Sequence, residues 1–203
     1  MEIDNFEQIK KLINPTSSEE FYLLQIIRRG KDQNSEYSNS YRSTVKSYYI
    51  NSVDYLSRKE DEIKKLCNLL NARAYINLNK KSWKQVSLKS LEVLAQKIAI
   101  DDFAGVKSIF DSACGKTGSC DGNKTWIVDV DSKNYDDVRD VLDVIIRCEP
   151  FDVEKVVDVI PTLNGYHIIT RPFNKKTFRD YYNNQIDIHD NNPTLVYFNK
   201  KDE

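Results

Sequence analysis

The sequence has little glycine and proline, few cysteines and no long apolar run. With 6 Gly and 5 Pro among 203 residues, and 40% apolar residues, it is neither collagen-like nor disordered. It lacks the roughly 18 consecutive apolar residues of a membrane span, and residues 1–11 lack the apolar core of a signal peptide. Without a secretion signal, irregularly spaced cysteines favour reduced thiols over a disulfide framework; they are Cys67, Cys114, Cys120 and Cys148. We therefore expect a folded cytoplasmic protein that makes no membrane contact.

The length and charge of the chain indicate one domain with two unlike halves. A chain of 203 residues can bury a sizeable core, and no linker-like segment divides it. Residues 1–100 carry 17 Lys and Arg against 12 Asp and Glu, whereas residues 101–203 carry 13 against 19. A basic lobe beside an acidic one can hold a polyanion on one side and divalent cations on the other. Chance alone also produces such asymmetry in ordinary proteins.

The first half of the chain predicts an α/β lobe over about residues 21–110. The apolar periodicity predicts strands over residues 21–28, 45–50 and 72–78 and helices over 6–12, 55–70 and 83–100. The polar residues 33–42 predict a loop, and the turn-rich residues 114–122 predict another. In the helix over 83–100, the apolar face is expected to comprise Val86, Leu88, Leu91, Leu94, Ala95 and Ile98.

The second half, about residues 120–200, has the order β-α-β-β-α-β. Strands are predicted over residues 126–130, 153–162, 166–171 and 186–189, with helices over 135–148 and 175–183 and a further strand over 195–198. Asn164-Gly165 predicts a tight hairpin with positive φ at both residues. The order is that of the split-βαβ unit, a four-stranded antiparallel sheet backed by two helices. The expected fold class is therefore α+β.

An apolar strand ends in two carboxylates, Asp129 and Asp131. Residues i and i+2 share a face of a strand, so both side chains point the same way. Neighbouring carboxylates repel each other, and a hard divalent cation that takes oxygen ligands from both relieves the repulsion. Strand-end aspartates also solvate turns, and Asp131 could cap the following helix. The pair alone thus leaves a metal site and a structural role open.

Two further residues extend this pattern. His167 lies two residues beyond Gly165 on the next predicted strand, and Asp187 stands between two isoleucines on a short strand. In the split-βαβ order the first and third strands are neighbours, which can place His167 beside Asp129. Asp187 reaches them only if the sheet twists or extends suitably. A lone strand histidine is also a common structural residue.

These stretches together resemble the three motifs of the archaeo-eukaryotic-type primase-polymerase superfamily, specifically its phage and plasmid bifunctional enzymes. Asp129 and Asp131 are similar to the apolar-Asp-x-Asp motif, Gly165-Tyr166-His167 to the small-x-His motif, and Ile186-Asp187-Ile188 to the apolar-Asp-apolar motif. The resemblance covers about residues 120–200. Gly165 departs from it, since serine often begins the second motif.

The resemblance implies a metal-dependent DNA primase or polymerase that serves the replication of a phage or other mobile element. Its split-βαβ, RRM-like catalytic sheet would pack beside the N-terminal lobe. Asp129, Asp131 and Asp187 would be the catalytic carboxylates that bind Mg²⁺ or Mn²⁺.

The resemblance also implies contacts with nucleoside triphosphates and with a DNA or RNA template. His167 would contact the phosphates of the incoming nucleotide, with cations nearby at Arg171, Lys175 and Lys176. In the basic lobe, the residues expected to contact template phosphates are Arg28, Arg29 and Lys31. The sequence has no helicase segment, so any helicase would be a separate chain.

Two other functions remain open at this stage. The same sheet without catalytic activity would be a nucleic-acid-binding subunit of a replication complex. The same carboxylates could also serve a metal-dependent nuclease. The three functions differ in their effect on a nucleic-acid strand: a polymerase extends it, a binding subunit leaves it unchanged and a nuclease shortens it.

Overall fold

The structure is a computed structural model that describes residues 1–15, 17–33 and 42–200. The strands found in these ranges are β1 (Glu2–Asp4), β2 (Glu20–Arg29), β3 (Arg42–Ile50), β4 (Arg73–Ile76), β5 (Lys81–Ser82), β6 (Trp126–Val130), β7 (Val156–Pro161), β8 (Tyr166–Thr170), β9 (Asp187–His189) and β10 (Thr194–Asn199). The α-helices are α1 (Phe6–Leu12), α2 (Val53–Leu70), α3 (Trp83–Ala99), α4 (Ile109–Lys116), α5 (Tyr135–Arg147) and α6 (Lys175–Tyr182). In the same ranges, no helix has both the length and the apolarity to cross a bilayer.

The strands form two antiparallel sheets, which confirms the predicted α+β class. The first sheet has the order β1-β10-β4-β2-β3, with β5 paired to one end of β2. Its long central strand β2 is a nearly continuous apolar run, because Phe21 to Leu24 are all buried between neighbouring layers. The last strand, β10, returns from the second half of the chain to lie between β1 and β4.

The second sheet has the order β7-β8-β6-β9 and two differently covered faces. On one face, Val128 and Ile168 share a buried cluster with α5 and α6, represented by Val138 and Phe178. On the other face, Ile127, Ile160 and Ile169 belong to the main core, together with Leu24 and Ile26 of the first sheet. The two sheets therefore pack against each other through this second face.

Side chains that accept hydrogen bonds from free backbone amides fix the starts of α2 and α6. Ser52 accepts a hydrogen bond from the Tyr55 amide at the start of α2, and Asn174 accepts from two amides at the start of α6. Both helices end at an asparagine, Asn71 and Asn183, with a left-handed backbone. Local sequence thus accounts for the length of each helix.

Two predictions for the middle of the chain were wrong in detail. Residues 114–116 belong to α4 rather than to a turn, because Ala113 and Cys114 are buried against Phe21 and Val86. In α3 only Val86 is buried, whereas Leu88 and Leu91 are 59% and 62% exposed. The helix is apolar on two opposite sides, and one of them faces away from the core.

Apart from Gln33 and Arg42, the loop predicted over residues 33–42 lies outside the described residues, and Arg42 begins β3.

Candidate active site

One row of polar side chains crosses three adjacent strands of the second sheet. Asp129 of β6 is the direct register partner of His167 on β8 and of Asp187 on β9. Partners opposite each other in an antiparallel pair project from the same face. The register therefore brings together three of the predicted site residues, Asp187 included.

A close backbone approach places the loop before β8 beside the end of β6. A Cβ added to Gly165 would lie 2.0 Å from the Val130 carbonyl oxygen and 2.7 Å from the Ser132 amide nitrogen. The predicted tight hairpin with positive φ was wrong: Asn164 and Gly165 do not have positive φ, and residues 162–165 form a longer loop. Gly165 is required for closeness rather than for a left-handed turn, and it seats this loop beside Asp129 and Asp131.

A cleft of about 410 Å³ opens between the two sheets at this point. The second sheet contributes Asp129, His167 and His189 to one wall, and Asp131 follows at the end of β6. The first sheet and the turn after β2 contribute the opposite wall, whose polar side chains are Arg29, Lys31, Arg42, Arg73 and Tyr75. The cleft thus has an acidic wall and a basic wall that face each other.

Asp187 lies at the rim rather than inside this cleft. It lines a neighbouring depression of about 400 Å³, together with Asp137 and Asp140 at the start of α5. Asp129 and Asp131 line both spaces. The carboxylates therefore stand on the ridge between the main cleft and a second, strongly acidic depression.

Burial and like charges raise the pKa of Asp129. Desolvation is the largest cause, and the charges of Asp131 and Asp187 raise it further, while His189 lowers it. A carboxylate with a raised pKa is one whose negative charge is poorly compensated by the protein. A cation bound at this position would supply that compensation.

His167 is largely but not fully buried, and its ring is held from both sides. Its Nδ1 lies 2.9 Å from the Thr194 hydroxyl, and its Nε2 lies 3.5 Å from an Asp129 carboxylate oxygen. Burial lowers the pKa of His167 to about 4, with a smaller contribution from His189. The ring is therefore neutral near pH 7, and a proton on Nε2 would face Asp129 while Nδ1 accepts from Thr194.

The cations on the opposite wall differ in how firmly they are held. Arg73 forms a two-pronged ion pair with Asp32 and is only 5% exposed, so it is a fixed part of the wall. Arg29 donates to the Tyr75 hydroxyl at 3.0 Å. The pKa of Lys31 is lowered by burial and by the charges of Arg29 and Arg73. Because these neighbouring cations repel one another, this wall of the cleft favours an anionic ligand.

The structure does not bring the other predicted nucleotide-binding cations to the cleft. Lys175 and Lys176 begin α6, and Arg171 follows β8 at the end that pairs with Trp126, three residues from Asp129. Lys175 lies over the Trp126 ring and is paired with Asp190. These residues follow His167 closely in sequence, but the strand carries the chain away from the site.

The predicted template-binding residues divide between two directions. Arg29 and Lys31 line the cleft, whereas Arg28 does not. Neighbouring residues of a strand point to opposite faces, and the Arg28 guanidinium donates to Gln33 instead.

Sequence reasoning missed two residues that line the cleft, His189 and Arg42, and Thr194, which contacts His167. His189 lies two residues after Asp187, and this alternation alone could have placed it on the same face. Thr194 and Arg42 gave no such signal, because their positions depend on which strands pair. The structure places Thr194 at the start of β10, which approaches His167 from the first sheet.

The carboxylate oxygens suit Mg²⁺ or Mn²⁺ in chemistry, although they do not surround a common centre. Among residues 1–15, 17–33 and 42–200, no three His, Cys, Asp or Glu side chains are grouped closely enough to hold one ion. Asp129, Asp131 and Asp187 nevertheless interact electrostatically as like charges, and all three offer the hard oxygen ligands that these cations prefer. The donor set fits such an ion if the side chains turn toward it.

Comparison with known proteins identifies no relative of this chain. No protein family, no curated protein and no solved structure matches it. Its function must therefore be inferred from its own residues.

Proposed function

We propose that the protein is a metal-dependent nucleotidyltransferase of the primase-polymerase type, which joins nucleotides on a template during replication of a phage or other mobile element. The observation that carries this proposal is the row of His167, Asp129 and Asp187 across β8, β6 and β9 beside a basic wall. Nucleotidyl transfer requires this pairing of charges, because carboxylates hold cations while cationic side chains receive phosphates.

The order of the strands supports the finer assignment of the second sheet as a split-βαβ, RRM-like unit. Its elements follow the sequence β6-α5-β7-β8-α6-β9, and its strands lie in the order β7-β8-β6-β9. The first and third strands of the unit are then central neighbours. Because β6 and β8 are adjacent, His167 lies beside Asp129.

Each side chain of the site would have a distinct role. Asp129, Asp131 and Asp187 would hold Mg²⁺ or Mn²⁺, which when bound supplies activation of the attacking 3′-hydroxyl and stabilisation of the leaving pyrophosphate. His167, kept neutral by burial and oriented by Thr194, would donate a hydrogen bond to a phosphate oxygen of the nucleotide. Asp129 lies 3.5 Å away, so the nucleotide would compete with it for that proton.

The basic wall would receive the polyanionic substrates. Arg29 and Lys31 face the carboxylates across the cleft, and the negative charge of Asp131 partly offsets the lowering of the Lys31 pKa. Their positive charge would bind either the triphosphate or the template backbone. The fixed ion pair of Arg73 with Asp32 would hold this wall in place.

Template-directed incorporation of labelled nucleotides tests the proposal. The wild-type protein should extend a primed or unprimed template with Mn²⁺ or Mg²⁺, and Asp129→Asn should lower the rate by at least about a hundredfold. The matched control is Asp143→Asn, because Asp143 is an exposed residue of α5 that lines neither the cleft nor the acidic depression. Absence of incorporation by the wild type with either metal would contradict the proposal, and shortening of the strand would indicate a nuclease.

The second candidate function is nucleic-acid binding without catalysis. The spacing of the carboxylates, which in the described residues do not gather around one centre, favours it. A protein that binds DNA with equal affinity before and after Asp129→Asn, and that incorporates nothing, would establish this alternative.

A further inference from the structure

Helix α3 presents a continuous apolar stripe to solvent. Leu88, Leu91 and Ile98 are 59%, 62% and 53% exposed, and Ala95 between them is also exposed. Their spacing of three, four and three residues keeps them on one side of the helix. The opposite side carries Val86, which is buried in the core.

Two more exposed apolar residues follow the stripe in the chain, at the C-terminal end of the helix. Ile100 is 73% exposed and Phe103 is 63% exposed. A contiguous apolar stripe such as the one on α3 usually marks a site of association, whereas apolar residues scattered singly on a surface need no explanation. The proposed active site lies in the cleft between the sheets, and α3 contributes nothing to its lining.

The stripe is complementary to itself when two helices run in opposite directions. With a two-fold axis near Val93, Leu88 lies opposite the partner's Ile98, and Leu91 lies opposite the partner's Ala95. The second pair sets a large residue against a small one, so the two side chains can pack without overlap. The spacing is also that of a coiled-coil seam over about two heptads.

The charges at the ends of the stripe match in the same arrangement. Lys84 is exposed in the first turn of α3, on the same side as the stripe. In the antiparallel pairing it lies near the C-terminal end of the partner's helix, which is followed by the left-handed Asp101 and by Asp102. The Asp102 carboxylate is partly exposed and paired with Lys97 at 2.5 Å, so this end of the partner carries a negative charge for Lys84 to face. A parallel pairing would instead place Lys84 against the partner's Lys84.

We propose that two copies of this chain associate through an antiparallel α3–α3 pair related by a two-fold axis. A two-fold interface uses the same patch on both subunits, and this patch meets that requirement in both apolar and charged residues. One helix pair forms a small interface, so the dimer should be weak and depend on protein concentration. The association is independent of the proposed chemistry.

Sedimentation velocity of the full chain over a range of micromolar concentrations tests the association. Leu91→Glu should raise the dimer dissociation constant at least about tenfold, because it places a charge at the centre of the seam. Leu69→Glu is the matched control, since Leu69 is a 76% exposed leucine on α2. A wild-type chain that stays monomeric throughout this range would overturn the proposal, as would equal dissociation constants for the wild type and Leu91→Glu.

Cysteine cross-linking tests the direction of the pair without disturbing its centre. The background is Cys120→Ser, because Cys67, Cys114 and Cys148 are buried. A mixture of Leu88→Cys and Ile98→Cys proteins should form disulfide-linked dimers on mild oxidation, and neither protein should do so alone. Cross-linking of each protein with itself would indicate a parallel pair and overturn the antiparallel arrangement.

Discussion

At the scale of single residues, the close approach of two backbone segments decides which substitutions the site tolerates. Gly165 lies against the carbonyl of Val130 and the amide of Ser132, where no other residue fits without displacement. The pair Asn164-Gly165 is typical of tight turns, so the sequence predicted the residue but not its reason. A glycine needed for close approach and one needed for positive φ look the same in a sequence.

Gly165→Ala should therefore move the end of β6. Its Cβ would overlap the Val130 oxygen, and we expect a loss of about 2–3 kcal/mol in the free energy of unfolding, measured by denaturant titration. Incorporation activity should fall as well, because Asp129 and Asp131 flank Val130. The control is Gly118→Ala, where no atom lies within 4 Å of the added Cβ. Equal stability of the two variants would contradict this reading of Gly165.

At the scale of elements, a buried polar network connects the first sheet to the β9–β10 turn. The Asn191 side chain accepts from Asn79 and from Lys81, and it donates to the carbonyl of Gly115. Lys81 is fully buried and also donates to the Thr117 carbonyl at 2.6 Å. The network holds this turn, and with it the strand that carries Asp187.

The stability of the protein should depend on pH through Lys81. Burial lowers the pKa of Lys81 to about 8, against about 10.4 in an unfolded chain. Below pH 8 both states are protonated; between pH 8 and about 10 the folded state releases the proton first, so stability rises with pH. The difference in unfolding free energy between the wild type and Lys81→Met should shift by about 2 kcal/mol in favour of the wild type over this range.

Chemical denaturation at several pH values checks this expectation. A neutral amine still has two hydrogens for the oxygens of Thr117 and Asn191, so the network survives the loss of charge. Lys11→Met, which removes an exposed lysine of α1, should show no such pH dependence relative to the wild type. Parallel stability curves for the wild type and Lys81→Met from pH 7 to 10 would count against the lowered pKa.

Elements were predictable from the sequence because their signals are local. The periodicity of apolar residues predicted both ends of β6 and both ends of α1 correctly. The predicted end of α6, Asn183, is the residue that follows its last helical residue. Register is not local: nothing in the sequence states that Asp187 pairs with Asp129, or that β10 returns to the first sheet. The same limit explains why Lys175 was expected beside His167, while the cations of the cleft come from β2, the turn after it, β3 and β4.

At the scale of the whole molecule, the charge asymmetry between the two halves of the chain becomes a cleft with opposed walls. The basic wall belongs to the N-terminal sheet and the acidic wall to the second sheet. The buried cluster that joins Ile26 to Ile127 and Ile169 fixes the distance between them. The proposed function thus depends on how the sheets pack as much as on the motif residues.

Lys31→Ala should weaken binding of single-stranded DNA without regard to its sequence. Loss of one phosphate contact should reduce the slope of log affinity against log salt by about 0.7. The control is Lys11→Ala, which removes a lysine remote from the cleft lining. Fluorescence anisotropy at several salt concentrations measures both slopes. An unchanged slope for Lys31→Ala would remove this residue from the nucleic-acid path.

Direct Mn²⁺ binding, followed by electron paramagnetic resonance of the free ion, tests the central claim that separated carboxylates share a cation. The wild type should bind Mn²⁺ in the presence of a nucleoside triphosphate more tightly than the nucleotide alone does. Asp129→Asn and Asp187→Asn should each weaken that binding at least about tenfold, whereas Asp143→Asn should leave it unchanged. Equal Mn²⁺ affinity in all four proteins would show that Asp129 and Asp187 do not form the site and would contradict the account.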